Sequence, residues 1–290
     1  MNIRILAVPY DSGLRNVRMG RGPGHLLERG LVARLWDGGH DVVVETIEVA
    51  DAPPAEIRTA FDVNRVLATA AREAVASGAL PLVLAGNCNT AVGTLAGLDG
   101  PDVGVVWFDA HGDFNTPETT ISGFLDGMAL AIATGRCWTE LARGVPGFRP
   151  VPPDRVLLVG ARDLDGAERA ALERSGIALV SAEAVRAHGA SAALEAPLQR
   201  ITGQTRRLYV HLDLDVLDAS EATANQFAAP GGLSAAELAS AVRFLACQAT
   251  IVAAAMTAYD PSRDTDDRAL EAGLGLLGLL AAEAGRTPPR

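Results

Sequence analysis

The chain is 290 residues long, 49% hydrophobic, and carries a formal net charge of −10. That length and apolar content are ample for a large core, and the acidic balance argues against nucleic acid or an anionic membrane as the main partner. All 25 basic side chains are arginines, and the three cysteines, Cys88, Cys137 and Cys247, are too few for a disulfide scaffold and point to a reducing compartment.

Met1 to Leu6 runs straight into a strand pattern, without the charged head, apolar stretch and cleavage site of a signal peptide, so the expected location is cytoplasmic. Strands are expected at Ile3–Val8, Val42–Ile47, Leu80–Ala85, Val103–Phe108, Val156–Val159, Ala178–Val180, Leu208–Leu212 and Ile251–Ala255. Helical patterns lie between them, among them Ala55–Ser77, Asp165–Ser175 and Ala235–Ala246. The last opens with Ser234-Ala235-Ala236-Glu237, the spacing of a capping box. The apolar run Ala272 to Ala282 is too short for a membrane span and is bracketed by Glu271 and Glu283, which makes it a buried helix. The strands are continuously apolar rather than alternating, as expected when helices cover both faces of a parallel sheet. The pattern reads as one doubly wound α/β domain.

In such sheets ligands gather at the carboxyl ends of the strands. Asn87-Cys88-Asn89 follows Leu80–Ala85, Asp109-Ala110-His111-Gly112-Asp113 follows Val103–Phe108, Asp213-Leu214-Asp215 ends Leu208–Leu212, and Tyr259-Asp260-Pro261 follows Ile251–Ala255. Carboxylates this crowded repel one another unless cations neutralise them. Asp109, His111, Asp113, Asp213 and Asp215 therefore read as ligands of a hard divalent cation such as Mn²⁺, with donors enough for two metals sharing bridging carboxylates. Helix capping is the plainer alternative. It suits Asp163 or Asp165, and it suits three ionisable groups at every second position badly. His25, His40 and His188 are expected to be exposed bystanders, and Cys137 and Cys247 core residues. His211, just before the second motif, is a candidate support for the metal ligands.

These segments resemble the ureohydrolase superfamily of arginases, agmatinases and formimidoylglutamases, over nearly the whole chain. Ala7-Val8-Pro9-Tyr10-Asp11-Ser12-Gly13 and Gly22-Pro23-Gly24 resemble its N-terminal strand and glycine-proline loop. Asp109-Ala110-His111-Gly112-Asp113-Phe114-Asn115-Thr116-Pro117, with Ser122-Gly123 beyond, is similar to its central metal motif. Val159-Gly160-Ala161-Arg162-Asp163-Leu164-Asp165 is similar to its mid-chain motif, and Asp213-Leu214-Asp215-Val216-Leu217-Asp218 with Gly231-Gly232-Leu233-Ser234 to its second metal motif.

The resemblance implies one three-layer α/β/α domain over residues 1–290, built on an eight-stranded, mostly parallel sheet. It implies a binuclear hydrolase of a linear amidine or guanidine C–N bond, whose small-molecule substrate is attacked by water activated between two Mn²⁺ ions. Asp109 and Asp213 would bridge the ions, Asp113 would complete one, and His111 with Asp215 the other. Asn115 and Ser122 fall where arginases hold the substrate's α-carboxylate, and Asp165 where they hold the α-amino group. Asn115 organising its loop, and Asp165 capping the following helix, remain the alternatives. Homo-oligomers, trimers or hexamers, are the family habit.

Three positions depart from the family. Where Gly-Gly-Asp-His is usual, this chain has Ala85-Gly86-Asn87-Cys88. Cys88 is either a thiolate ligand, which would favour Zn²⁺ or Fe²⁺, or a packed thiol. Asp126 stands where arginases have a proton-shuttling His, and a carboxylate serves only with a raised pKa. A loop Asp that makes a turn is the alternative there. Ala258 stands where arginases have a Glu that pairs with the guanidinium, a contact Ala cannot make. Asp260 and Asp264 are the nearby groups that would have to compensate. A typical arginase is therefore not expected. The competing reading is a catalytically divergent or non-catalytic homologue that binds a metal or small molecule. The three departures together favour it, and the retained ligands oppose it.

Overall fold

A computed structural model describes residues 1–50, 55–98 and 102–286. In chain order its strands are β1 (Asn2–Val8), β2 (Tyr10–Asp11), β3 (Leu14–Arg15), β4 (Asp41–Thr46), β5 (Leu80–Ala85), β6 (Gly104–Phe108), β7 (Val156–Val159), β8 (Ala178–Val180), β9 (Arg207–Asp213) and β10 (Thr250–Thr257). The helices are α1 (Gly22–Glu28), α2 (Leu31–Asp37), α3 (Glu56–Ala76), α4 (Ala91–Gly97), α5 (Ala129–Ala133), α6 (Thr139–Arg143), α7 (Gly166–Ser175), α8 (Ala182–His188), α9 (Ala190–Thr202), α10 (Ala235–Gln248) and α11 (Arg268–Ala284).

Eight strands form one sheet in the order β4-β1-β5-β10-β9-β6-β7-β8, and every neighbouring pair is parallel. Each of the eight lies within two residues of its sequence-based bounds. Continuous apolar runs explain this for the six inner strands, where both faces are covered, while the edge strands leave Val43, Val44 and Leu179 exposed. Side chains alternate between two cores. Ile3, Ile5, Val106, Phe108, Val210 and Leu212 meet α1, α2 and α8 to α11 on one face. Leu6, Val8, Val105, Trp107 and Tyr209 meet α3 to α7 on the other. At about 1.5–3 kcal/mol for each large apolar side chain fully buried, these two cores hold the strand ends in fixed positions. The result is the expected α/β/α sandwich.

The ribbon β2–β3 was not foreseen. Ser12 and Gly13 between its strands both have positive φ, 49° and 77°, the condition for a type I′ hairpin turn. Two-residue strands leave no periodicity to read. The capping box of α10 is present, with Glu237 N donating to Ser234 Oγ at 3.1 Å and Ser234 N to Glu237 Oε2 at 2.8 Å. Among the described residues no helix is long and apolar enough to cross a membrane, and α11 carries the buried run expected near the C-terminus.

Candidate metal centre

Strands β5, β10, β9 and β6 are consecutive at the middle of the sheet, and their carboxyl ends carry the chemically loaded segments. Phe108 pairs with Leu212, so Asp109 and Asp213, the next residues along two parallel strands, come level. Asp213 in turn pairs with Thr257 of β10. Donor atoms of Cys88, Asp109 and Asp213 lie within 4.8 Å of one another, and so do those of Asp109, His111 and Asp215. The two groups share Asp109. All four aspartates of the cluster, Asp109, Asp113, Asp213 and Asp215, are buried.

His111 Nδ1 lies 3.3 Å from Asp109 Oδ1 and 3.5 Å from Asp215 Oδ2. Burial opposes its charge, but the hydrogen bond to Asp109 and the fields of Asp215, Asp109 and Asp163 prevail and raise it to about 9. Asp109 also accepts from Trp107 Nε1 at 2.9 Å and from His111 N at 2.7 Å. Asp213 and Asp113 titrate well above the usual carboxylate range, because burial and neighbouring carboxylates both disfavour their charge. Asp113 Oδ2 is buried without any hydrogen-bond partner. An unpartnered carboxylate oxygen among three buried aspartates is costly unless a cation meets it. The donor set thus fits divalent metal ions.

Cys88 sits in the same cluster. Its thiol donates to Asp213 Oδ2 at 2.9 Å and lies 3.1 Å from Thr257 Oγ1. Burial and the charges of Asp213, Asp126, Asp113 and Asp109 push its pKa well up, so only a cation at this place would favour the thiolate.

Asp126 is buried in the wall of the same cleft. Asn87 Nδ2 donates to its Oδ2 at 2.9 Å, and Asn89 N donates to its Oδ1 at 2.8 Å. Burial outweighs these bonds and pushes its carboxyl up to about 7. Ala258 also lines the cleft. Asp260 and Asp264, the nearby groups considered there, do not line it. Asp260 accepts from Ser262, and Asp264 accepts from Tyr259 Oη and from Ala269 N and Leu270 N at the start of α11.

The cleft has a volume of about 270 Å³, and Asn115, Ser122 and Asp165 also line it. Asn115 Nδ2 donates to Asp165 Oδ2 at 3.1 Å, while its Oδ1 accepts from Thr119 Oγ1 at 3.0 Å. Asp165 occupies the N-cap position of α7 but makes no side-chain cap bond. Ser122 is exposed, and its Oγ accepts from Phe124 N at 3.2 Å.

His211 was foreseen as a support for the cluster, whereas Trp107, Asn225, Glu168, Phe124 and Phe227 were missed. Trp107 and His211 are level in the β6–β9 register and stack with ring centroids 3.6 Å apart. Each precedes a cluster aspartate by two residues, so strand alternation puts it on the same side, a signal available in the sequence. His211 Nδ1 lies 2.8 Å from Tyr209 Oη and its Nε2 3.3 Å from Thr257 Oγ1; burial lowers its pKa to about 3. Asn225 Nδ2 donates to both Asp215 Oδ2 and Ala258 O, at 3.1 and 2.8 Å. Glu168 accepts from Phe114 N at 2.8 Å, and a Cβ on Gly112 would come within 2.7 Å of its carboxyl group. A side chain there would have to displace the Glu168 carboxyl group from Phe114 N. Phe124 and Phe227 converge at the mouth from different loops, a meeting that no local pattern encodes.

Other expectations need correction. Cys247 is exposed on α10, although Cys137 is buried as expected. Of the bystander histidines only His188 is exposed, whereas His25 packs edge-on against Tyr259 and His40 is half-buried.

The model of the family described as "Arginase family" matches residues 1–281. The arginase of Bacillus caldovelox is 31% identical over 97% of this chain and 98% of its own. The crystal structure of arginase from Bacillus cereus superposes with a TM-score of 0.88 at 29% identity, covering 99% of each chain. The formimidoylglutamase of Bacillus subtilis, at 19% identity and a TM-score of 0.77 over 100% of this chain and 88% of its own, shares the fold. With a match this long and this sequence identity, the chain belongs to the arginase family of the ureohydrolase superfamily.

Proposed function

We propose that the protein is a binuclear metal-dependent hydrolase that cuts a C–N bond in a linear amidine or guanidine. The observation that carries this is the pair of donor groups sharing Asp109, with the unpartnered Asp113 Oδ2 beside them. Cys88, Asp109, Asp113 and Asp213 would hold one cation, and Asp109, His111, Asp213 and Asp215 the other. When bound, two divalent cations supply a water acidic enough to attack near neutral pH. A thiolate among the donors widens the choice from Mn²⁺ to Zn²⁺ or Fe²⁺.

The chain's own residues do the rest. Trp107 and Asn225 hold Asp109 and Asp215 in fixed orientations through their N–H groups. Asn87 and Asn89 hold both oxygens of Asp126. Asp126 is the anion nearest in role to the missing Glu, since Ala258 offers none to a cationic head group. With its raised pKa it can also carry a proton to the leaving nitrogen. For a guanidine, water adds to the central carbon, the bond to the substituted nitrogen breaks, and that nitrogen leaves protonated as an amine beside urea.

The test combines metal analysis of purified protein with a screen of guanidino and amidino compounds for urea, ammonia or formamide release. About two equivalents of metal per chain and turnover of at least one compound are expected. A protein that takes up no divalent metal and turns over none of the panel would overturn the reading in favour of a non-catalytic homologue.

A further inference from the structure

Behind Cys88 runs a chain of buried polar side chains. Its Sγ lies 3.1 Å from Thr257 Oγ1, Thr257 Oγ1 lies 3.3 Å from His211 Nε2, and His211 Nδ1 lies 2.8 Å from Tyr209 Oη. Sheet order brings them together. Strand β10, which ends at Thr257, runs between β5, which leads to Cys88, and β9, which carries Tyr209 and His211. All four residues are at most 1% exposed, so their polar atoms depend on one another rather than on bulk water. Trp107 stacks on the His211 ring at 3.6 Å and fixes its plane.

Proton counting sets the direction of the chain. The Cys88 thiol has one proton and spends it on Asp213 Oδ2 at 2.9 Å. The Thr257 hydroxyl also has one proton, and two neighbours, the sulfur and the imidazole nitrogen. The sulfur has none left to give, so Thr257 donates to it and accepts from His211 Nε2–H. A neutral imidazole with its proton on Nε2 accepts at Nδ1, and there the Tyr209 hydroxyl donates. Each link thus points toward the sulfur. A thiolate keeps the same arrangement, because it only accepts.

We propose that Thr257, held by His211 and Tyr209, is a positioning residue that turns the Cys88 sulfur toward Asp109 and Asp213 as a thiolate ligand, and so biases this half of the centre toward thiophilic cations such as Zn²⁺ over Mn²⁺. This rests on the binuclear reading above and deepens it at one of the two cation positions. A hydrogen bond to the sulfur disperses a charge that burial beside carboxylates disfavours. When a cation takes the place of the thiol proton, that proton leaves to the buffer and Asp213 Oδ2 is freed for the same cation. Sulfur among the donors then favours the softer metal. A merely packed thiol would need no donor behind it, and an apolar side chain would end β10 without a buried hydroxyl to satisfy.

Co²⁺ reports on the sulfur directly, since a Co²⁺–thiolate bond gives a near-ultraviolet charge-transfer band that oxygen and nitrogen ligands lack. Chelator-stripped protein is titrated with Co²⁺, and bound metal is measured beside the band. Wild type should take up about two equivalents and show the band, and Cys88→Ser should lose it. Thr257→Val keeps the shape and removes the donor. It should weaken one of the two cations about 10- to 100-fold, diminish the band, and move competition between equal Zn²⁺ and Mn²⁺ toward Mn²⁺. Thr257→Ser should restore all three readings. Tyr209→Phe, at the far end of the chain, should give a smaller change in the same direction. Melting of each chelated variant reads folding separately.

Two equivalents of Co²⁺ bound without the band would overturn the proposal and leave the binuclear reading standing. So would a band and affinity that Thr257→Val leaves unchanged, or that Thr257→Ser fails to restore. A protein that takes up none of Co²⁺, Zn²⁺ and Mn²⁺ would overturn both.

Discussion

In the metal-facing half of the cleft, Asp109 and Asp213 lie at the ends of two paired, buried strands, with Trp107 and His211 stacked one layer beneath them. In the substrate-facing half, Phe124 and Asp126 come from the loop before α5, Phe227 from the loop before α10, and Ala258 from just beyond β10. The first half keeps five of the family's six ligand types. The second has lost both the shuttle His and the Glu that meets the guanidinium. Register fixes the positions of the first half, so a substitution there must still pair its buried neighbours, as Cys88 does with Asp213 and Thr257. Loops on a rigid frame can change partners together. Asn87 and Asp126 illustrate this. The family's Asp at position 87 would face the Asp126 carboxylate and repel it, whereas Asn87 Nδ2 donates to it at 2.9 Å.

If the metal-facing half is the part that cannot vary, His111→Ala should have the largest effect. It removes the only imidazole of the donor groups and leaves Asp109 and Asp215 facing each other. Hydrolysis should vanish and metal content should fall. Chelation of the wild type should lower its melting temperature, since ligand at about 100 times its Kd contributes roughly 2.7 kcal/mol. Metal analysis and calorimetry check both. Unchanged melting on chelation of a loaded sample would break the comparison at its stronger side.

Asp126→Asn probes the other half. Loss of a positioned acid lowers rates by about 10²- to 10⁴-fold. Metal stoichiometry should stay at the wild-type value, because Asp126 belongs to neither donor group. Asp126→His should restore little alone and more when combined with Asn87→Asp, since a protonated imidazole then has an anion to hold it. Rates for the two single variants and the pair, measured on one substrate, decide this. Simple additivity would mean that positions 87 and 126 do not act together.

Trp107→Phe keeps the ring that stacks on His211 and removes the N–H that reaches Asp109. Supporting bonds of this kind are worth about 10- to 100-fold in metal affinity. Cys88→His and Cys88→Ser refine the same point. If the thiolate ligates, the first should shift preference from Zn²⁺ toward Mn²⁺ and the second should weaken one metal selectively. Competition loading with equal Mn²⁺ and Zn²⁺ reads all three variants. Identical preference in wild type and both Cys88 variants would make the thiol a packing residue.

The sequence reached the two halves unequally, for physical reasons. Buried parallel strands announce themselves as apolar runs, and Asp109, His111, Asp113, Asp213 and Asp215 follow such runs immediately, so their convergence could be foreseen. His211 was legible beside the second motif, and Trp107 was within reach by strand alternation, but an aromatic in an apolar run reads first as core. Phe124 with Phe227, and Asn225 with Ala258, are separated by 103 and 33 positions. Only tertiary structure brings them together, and loop residues carry no periodicity that would point to a partner. Asp165 looked like a helix cap by position, yet its carboxylate serves Asn115. Local rules cannot weigh a distant competitor for the same oxygen.

The smallest effect concerns pH, and it separates the two halves by their charge. Without metal, the folded state holds protons that the unfolded chain releases. Burial raises Asp126 from its ordinary 3.8 to about 7, and Asp213, Asp113 and Asp215 shift upward for the same cause. A carboxyl raised in the folded state favours folding least above its folded pKa, so stability declines as pH climbs from about 4 through about 7. His111 adds to the decline. Its pKa rises from 6.5 to about 9, so its contribution is complete below 6.5 and is lost as pH passes 9. Asp109, lowered because His111 and Trp107 outweigh burial, works the other way only at the acid end. The chelated protein should therefore melt a few degrees lower at about pH 8.5 than at about pH 5.5. With Mn²⁺ the trend should flatten or reverse, because cations bind the deprotonated donors. Asp126→Asn should remove part of the slope in the chelated protein, and leave the metal-dependent rise intact. Melting curves at several pH values, with and without chelator, measure each slope. An equal slope with and without metal would show that the buried acids are not answering to cations at all.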